Sequence, residues 1–214
     1  MTDTEHDVDE QTLLRWVGQT YDGLADLLAD GPEAAWDAAT LCEKWQARHV
    51  AAHVTMPARM TPEQFGAEMA AAQGDFTRMS DTVAERDAAL PAAELLAALR
   101  SPVLHRWQPP GGGAAGALSH AVIHSLDVTV PAGTPPVAPG SAVVSVLDQL
   151  TAADGAFFGI DLTGVRLEAT DTDWAWRDSD SSSNDGDVVR AGTGELLALL
   201  SGRTLPDGRA LRHR

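Results

Sequence analysis

Apolar side chains recur at helical spacing through Leu13, Leu14, Trp16, Val17, Tyr21, Leu24, Leu27 and Leu28. This pattern predicts a first amphipathic helix, stopped near Gly31-Pro32. After a loop carrying Trp36 and Thr40, a second helix is expected from Trp45 to Met60, with Val50, Val54 and the alanines on its close-packed side. Thr61-Pro62-Glu63-Gln64 then has the residues of a helix start: a threonine N-cap, a proline in the first turn and a glutamine that closes a capping box. A third helix should therefore carry Phe65, Met69, Phe76, Met79 and Val83 on one stripe. Pro91 opens a shorter helix through Glu94, Leu95, Leu96 and Leu99, and Trp107 leads into the breaker run Pro109-Pro110-Gly111-Gly112-Gly113. The helical period resumes from Ala114 to Val130.

The next ten residues, PAGTPPVAPG, hold four prolines and two glycines, so no regular element is expected to cross them. A domain boundary is placed there, giving a helical bundle over 1–130, a linker over 131–140 and a C-terminal domain over 141–214. Ser141 is suited to cap a helix carrying Val143, Val144, Val146, Leu147 and Leu150. The period then changes. In Val165-Arg166-Leu167-Glu168-Ala169 every second residue is apolar, the signature of a strand, and 173–177, with Trp174 and Trp176 on one face, reads as its hairpin partner. The polar stretch DSDSSSNDGD over 178–187 reads as a turn, Val188-Val189-Arg190 as a third strand, and Thr193 to Ser201 as a helix with Thr193 as cap and Gly202 as stop. The predicted class is α+β, a helical bundle followed by a small mixed domain.

Composition narrows the function more than the fold. Across 214 residues, 44% are hydrophobic and 21% charged, the balance of a globular chain. The net charge of -16 repels phosphate backbones and anionic headgroups, which argues against nucleic-acid and membrane partners. The start, MTDTEHDVDE, is acidic where a secretory signal would be basic and then apolar; it reads as a disordered leader, and the protein is expected in the cytoplasm. Cys42 is the only cysteine, so one chain cannot form a disulfide or a thiolate zinc cage, and any metal must sit on nitrogen and oxygen ligands. Cys42 itself reads as a small core residue.

Those nitrogen ligands have candidates. Histidines four apart lie on one helix face, and two such pairs occur, His49 with His53 and His120 with His124. Such pairs also occur as surface decoration or as satisfied buried groups, so spacing alone leaves the choice open. Antiparallel helices can bring two such faces together, and three neutral imidazoles plus water would make an open site of catalytic type. Asp127, three residues after His124, is placed to accept the second ring N–H of a ligating imidazole, and is the candidate catalytic carboxylate. Its bland alternative is an exposed helix-end charge. His105 and His213 read as solvated, and Trp36, Trp45 and Trp107 either roof the site or simply pack.

The stretch from Trp36 to Cys42, followed by Trp45-Gln46-Ala47-Arg48 and Val50-Ala51-Ala52-His53, resembles the N-terminal signature of the mycothiol-dependent maleylpyruvate isomerase family. That family belongs to the DinB-like group of metal-binding four-helix bundles. His120 to Asp127 resembles its later metal motif, and Leu167 to Asp171, with Glu195-Leu196-Leu197 through Gly202-Arg203, is similar to its small C-terminal domain. The resemblance implies that His53, His120 and His124 are the metal ligands, with zinc the usual expectation and nickel or another divalent ion an alternative. Three features depart from the isomerase proper: His120 stands where it has glutamate, Lys44 replaces the usual glycine before Trp45, and His49 stands where aspartate is common.

The implied activity is thiol-dependent. A low-molecular-weight thiol, activated as thiolate by the metal, would add to or be transferred to a small electrophile, as an isomerase or an S-transferase. Lys44 is the only lysine among the basic residues and alanine, glycine and aspartate abound, a bias that fits a GC-rich actinobacterial host and mycothiol as the thiol. Alternatives are a metal hydrolase using bound water, and a non-enzymatic regulatory protein whose metal is closed off by His49 or Asp127. The expected assembly is a monomer or homodimer.

Overall fold

The computed structural model describes residues 8–178 and 187–214. Helix α1 (Glu10–Asp30) starts where Asp9 accepts the Thr12 N–H, and it stops at Gly31. Most of the expected acidic leader and of the polar 178–187 turn lies outside the described residues, although Asp9 and Glu10 already belong to the helix start. A 3-10 turn (Glu33–Asp37) buries Trp36. Helix α2 (Ala47–Val54) and the single turn α3 (Met56–Arg59) replace the one helix expected from Trp45 to Met60. Pro57 explains the break, because it offers no N–H and its ring collides with the carbonyl four residues back. Arg59 turns back over the break, donating to the Ala52 carbonyl at 2.7 Å and to the Thr55 hydroxyl at 3.0 Å, and it pairs with Asp87 at 2.6 Å.

The expected third helix is also two. Helix α4 (Pro62–Ala71) begins with the Thr61/Gln64 capping box, and α5 (Phe76–Asp87) begins with Asp75 as its cap. Between them Gln73 and Gly74 take φ of 60° and 81°, a left-handed turn that no helix can pass through. The apolar stripe is thereby divided. Met79 and Val83 are buried on α5, whereas Phe65 and Phe76 stay 39% and 51% exposed. Helices α6 (Ala92–Leu99) and α7 (Pro102–Arg106) lead to α8 (Gly113–Ala132), which is buried almost all round.

Helix α8 runs two residues further than the proline-rich pattern predicts, through Pro131 to Ala132, and ends on left-handed Gly133. Pro131 cannot donate to the Asp127 carbonyl four residues back, and the Leu41 N–H takes that place at 3.0 Å. Helix α9 (Gly140–Ala152) starts after Pro139 with no side-chain cap, so Ser141 lies inside it and does not cap it. Strands β1 (Val165–Ala169), β2 (Ala175–Arg177) and β3 (Asp187–Ala191) form a sheet in the order β2-β1-β3, with β1 antiparallel to β2 and parallel to β3. Leu167 sits opposite both Trp176 and Val189.

Helix α10 (Thr193–Leu200) is capped from outside: Asp171 accepts the Thr193 N–H and hydroxyl, so Thr193 is the capped residue and not the cap. Gly202, at φ 79°, ends it as expected. One continuous hydrophobic core joins α1, α2, α6 and α8 to α9, β1 and α10. The class is α+β.

Candidate metal centre

Four helices meet around three imidazoles. His53 comes from α2, His120 and His124 from α8, and the ring centroids lie 4.7 to 5.3 Å apart. One nitrogen from each of the three lies within 4.8 Å of the others, and His120 Nε2 is 3.3 Å from His53 Nε2. The remaining nitrogen of each ring is held by a different neighbour. His124 Nδ1 meets Asp127 Oδ2 at 2.8 Å, His120 Nδ1 meets the Tyr21 hydroxyl of α1 at 3.0 Å, and His53 Nδ1 meets the Ser80 hydroxyl of α5 at 2.8 Å. An imidazole held through Nδ1 presents Nε2 in a fixed direction, the usual way in which an outer partner sets a ligand's tautomer and aim.

The electrostatics suit a cation. Burial, with the two neighbouring imidazoles adding to it, holds His53 well below the ordinary 6.5. Burial likewise brings His120 down to about 3, so both rings are neutral and keep a lone pair at neutral pH. His53 is buried and the other two ligand candidates are half-buried, so the cluster is approached from the His120 and His124 side. Two indoles border it there: Trp45 lies 4.9 Å from His53 and 6.4 Å from His124, and Trp107 meets His120 edge-on at 5.5 Å. Trp36 is buried in the core instead.

The second pair, His49 with His53, does not act together. His49 Nδ1 accepts the Gln46 N–H at 3.1 Å, and its Nε2–H donates to Glu85 at 3.1 Å, so its ring serves the start of α2. Its neighbour Trp45 sits in the loop before the helix, whose carbonyl accepts the Thr40 hydroxyl at 2.7 Å.

Asp127 is fully buried. Burial alone would raise its pKa, but hydrogen bonds from His124 and Arg203 win and hold the carboxyl well below the usual range. Arg203, just beyond α10, donates from Nε to Oδ1 at 2.8 Å and from Nη2 to Oδ2 at 3.1 Å. Cys42 does not sit in the core as expected. The Leu41–Asp127 backbone bond brings it to the site, where its thiol donates to Asp127 Oδ2 at 3.1 Å. Burial, with the Asp127 charge beside it, pushes that thiol up to about 12, so it remains a neutral donor. Cys42, His124 and Asp127 also lie close enough to hold an ion, but the Arg203 guanidinium stands there as the cation already.

His105 is not solvated as the sequence suggests. It is half-buried against Tyr21, and its Nε2–H donates to the Leu99 carbonyl at 2.8 Å, while His213 is exposed as expected. Tyr21, Ser80 and Arg203 were not singled out by pattern. Tyr21 alone carried a usable signal: it is the single tyrosine, set in the buried stripe of α1, where its hydroxyl needs a partner.

Residues 17–108 match the family model described as the mycothiol maleylpyruvate isomerase N-terminal domain. This stretch is similar to that domain. It includes Tyr21, His53, Ser80 and both indoles, while His120 and His124 follow it. A crystal structure of the mycothiol-dependent maleylpyruvate isomerase is similar to this chain at 18% identity, covering 100% of this chain and 99% of that one, with a TM-score of 0.47. A histidine-to-alanine mutant of that enzyme gives 17%, the same coverage and a TM-score of 0.46. Among curated proteins none matches the chain. No helix among the described residues is long and apolar enough to cross a membrane.

Proposed function

We propose that this chain is a cytoplasmic, metal-dependent enzyme that uses a low-molecular-weight thiol, mycothiol, to modify a small electrophile as an isomerase or S-transferase. The observation that carries the proposal is the convergence of His53, His120 and His124, each with its second nitrogen occupied by Ser80, Tyr21 or Asp127. Three neutral nitrogen donors fit a divalent ion, zinc before nickel. Such an ion would favour the thiolate form of a sulfur brought to it at neutral pH.

The chain's own residues supply the rest. Asp127 fixes His124 from behind, and with Arg203 across both its oxygens it is an orienting group more than a proton acceptor. Trp45 and Trp107 border the three rings. Against a closed, regulatory site stands the engagement of both potential fourth ligands, His49 with Glu85 and Asp127 with Arg203. The match of residues 17–108 to the mycothiol maleylpyruvate isomerase N-terminal domain supports the choice of thiol.

The test is metal analysis of the purified protein, followed by a thiol-addition assay with mycothiol, with and without chelator. Stoichiometric metal and a chelator-sensitive, thiol-dependent rate are expected. Turnover that persists without thiol would replace this reading with a hydrolase.

A further inference from the structure

Arg203 is the cation in direct contact with the candidate centre's Asp127, and each of its three nitrogens is engaged. Nε and Nη2 take the two Asp127 oxygens at 2.8 and 3.1 Å, Nη1 donates to the Ser201 carbonyl at 3.0 Å, and Nη2 also faces the Cys42 sulfur at 3.8 Å. Turning it toward an incoming carboxylate would strand the buried Asp127 charge, which is strongly unfavourable. Arg166 and Arg190 both clamp Glu168 at 2.6 Å on the sheet. What borders the ligand rings instead is aromatic: Trp45 at 4.9 Å from His53 and Trp107 at 5.5 Å from His120, both half-buried. Indole faces reward a flat apolar molecule and, unlike a guanidinium, offer a carboxylate no ion pair.

Building on the thiol-dependent reading, we infer that the acceptor this site takes is an uncharged, planar electrophile lying against Trp45 and Trp107, not a carboxylate-bearing one. With a conjugated alkene the step is an addition. The thiol sulfur bonds to one alkene carbon, the π pair moves to its neighbour, and that carbon takes the proton the thiol releases; nothing leaves.

The inference is tested by calorimetric titration of the zinc-loaded full chain, in the presence of mycothiol, with N-phenylsuccinimide and phenylsuccinate. These share one ring and lack the reactive alkene, but one is neutral and the other a dianion. N-phenylsuccinimide should bind more tightly by about tenfold, and Trp107→Ala should weaken it roughly fivefold, the scale of an aromatic contact. Trp107→Phe, which keeps a ring and the fold, should weaken it less. Equal binding, or tighter binding of phenylsuccinate that Arg203→Gln abolishes, would overturn the inference. Since neither probe reacts, the ranking is read whether or not thiol addition is catalysed. A parallel assay of mycothiol with N-phenylmaleimide, corrected for the uncatalysed rate, separately tests the thiol reading.

Discussion

The two histidine pairs have the same spacing and different fates. On α8, His120 and His124 both turn their rings into the bundle, where Tyr21 and Asp127 hold them from behind. On α2, His53 does the same with Ser80, whereas His49 turns outward to the helix start and to Glu85. The difference is which partner waits for the second ring nitrogen. A backbone N–H left free at a helix start needs an acceptor, and at Gln46 the His49 ring supplies it.

The sharpest way to break this comparison is to remove one ring from each class. His53→Ala or His120→Ala should abolish stoichiometric zinc, while His49→Ala keeps it, as read by metal analysis after dialysis; loss of zinc in H49A would place that ring in the centre. Next comes Asp127→Asn. It leaves the half-buried Arg203 without a counter-charge, so chemical denaturation should show a loss of about 3 kcal/mol, and zinc affinity should fall about 10–100-fold.

Acid should also distinguish the buried rings. His120 is held down to about 3 in the folded protein against 6.5 when exposed, so between those values the unfolded chain binds the extra proton and stability falls as pH falls. For the metal-free protein the contribution of this one group at pH 5 is about 2 kcal/mol of lost stability. Denaturation midpoints at pH 7 and 5, in wild type and His120→Gln, measure it; an unchanged difference between the two proteins would show that the ring is not held neutral. Tyr21→Phe and Ser80→Ala should cost zinc affinity by about tenfold each, the lower end for an outer partner. The smallest effect is at His49→Ala, about 1 kcal/mol of stability from a lost cap, with zinc affinity unmoved.

Much of this was legible in the pattern of residues. The stripe of α1, the Thr61 capping box, the alternation in β1 and the Gly202 stop are local, and local physics decided them. The errors are local signals that other constraints outvoted. Pro57 cuts α2 despite an apolar stripe that continues, and Gln73-Gly74 divides α4 from α5. Asp171, distant in sequence, takes the capping role that Thr193 would otherwise fill. The ligand candidates could be seen because two of them share one helix, but their supports could not. Tyr21 and His120 are 99 positions apart, Cys42 and Asp127 are 85, and Asp127 and Arg203 are 76. No periodicity links residues at such distances; only the packed bundle does.

The Arg203 contact with Asp127 also orders events in time. During synthesis Asp127 and all three imidazoles are made well before the guanidinium 76 positions later. Until it arrives, the carboxylate lacks its guanidinium partner, and burying it unpaired is unfavourable. A chain cut before residue 203 would therefore carry Asp127 behind His124 without the guanidinium that neutralises it.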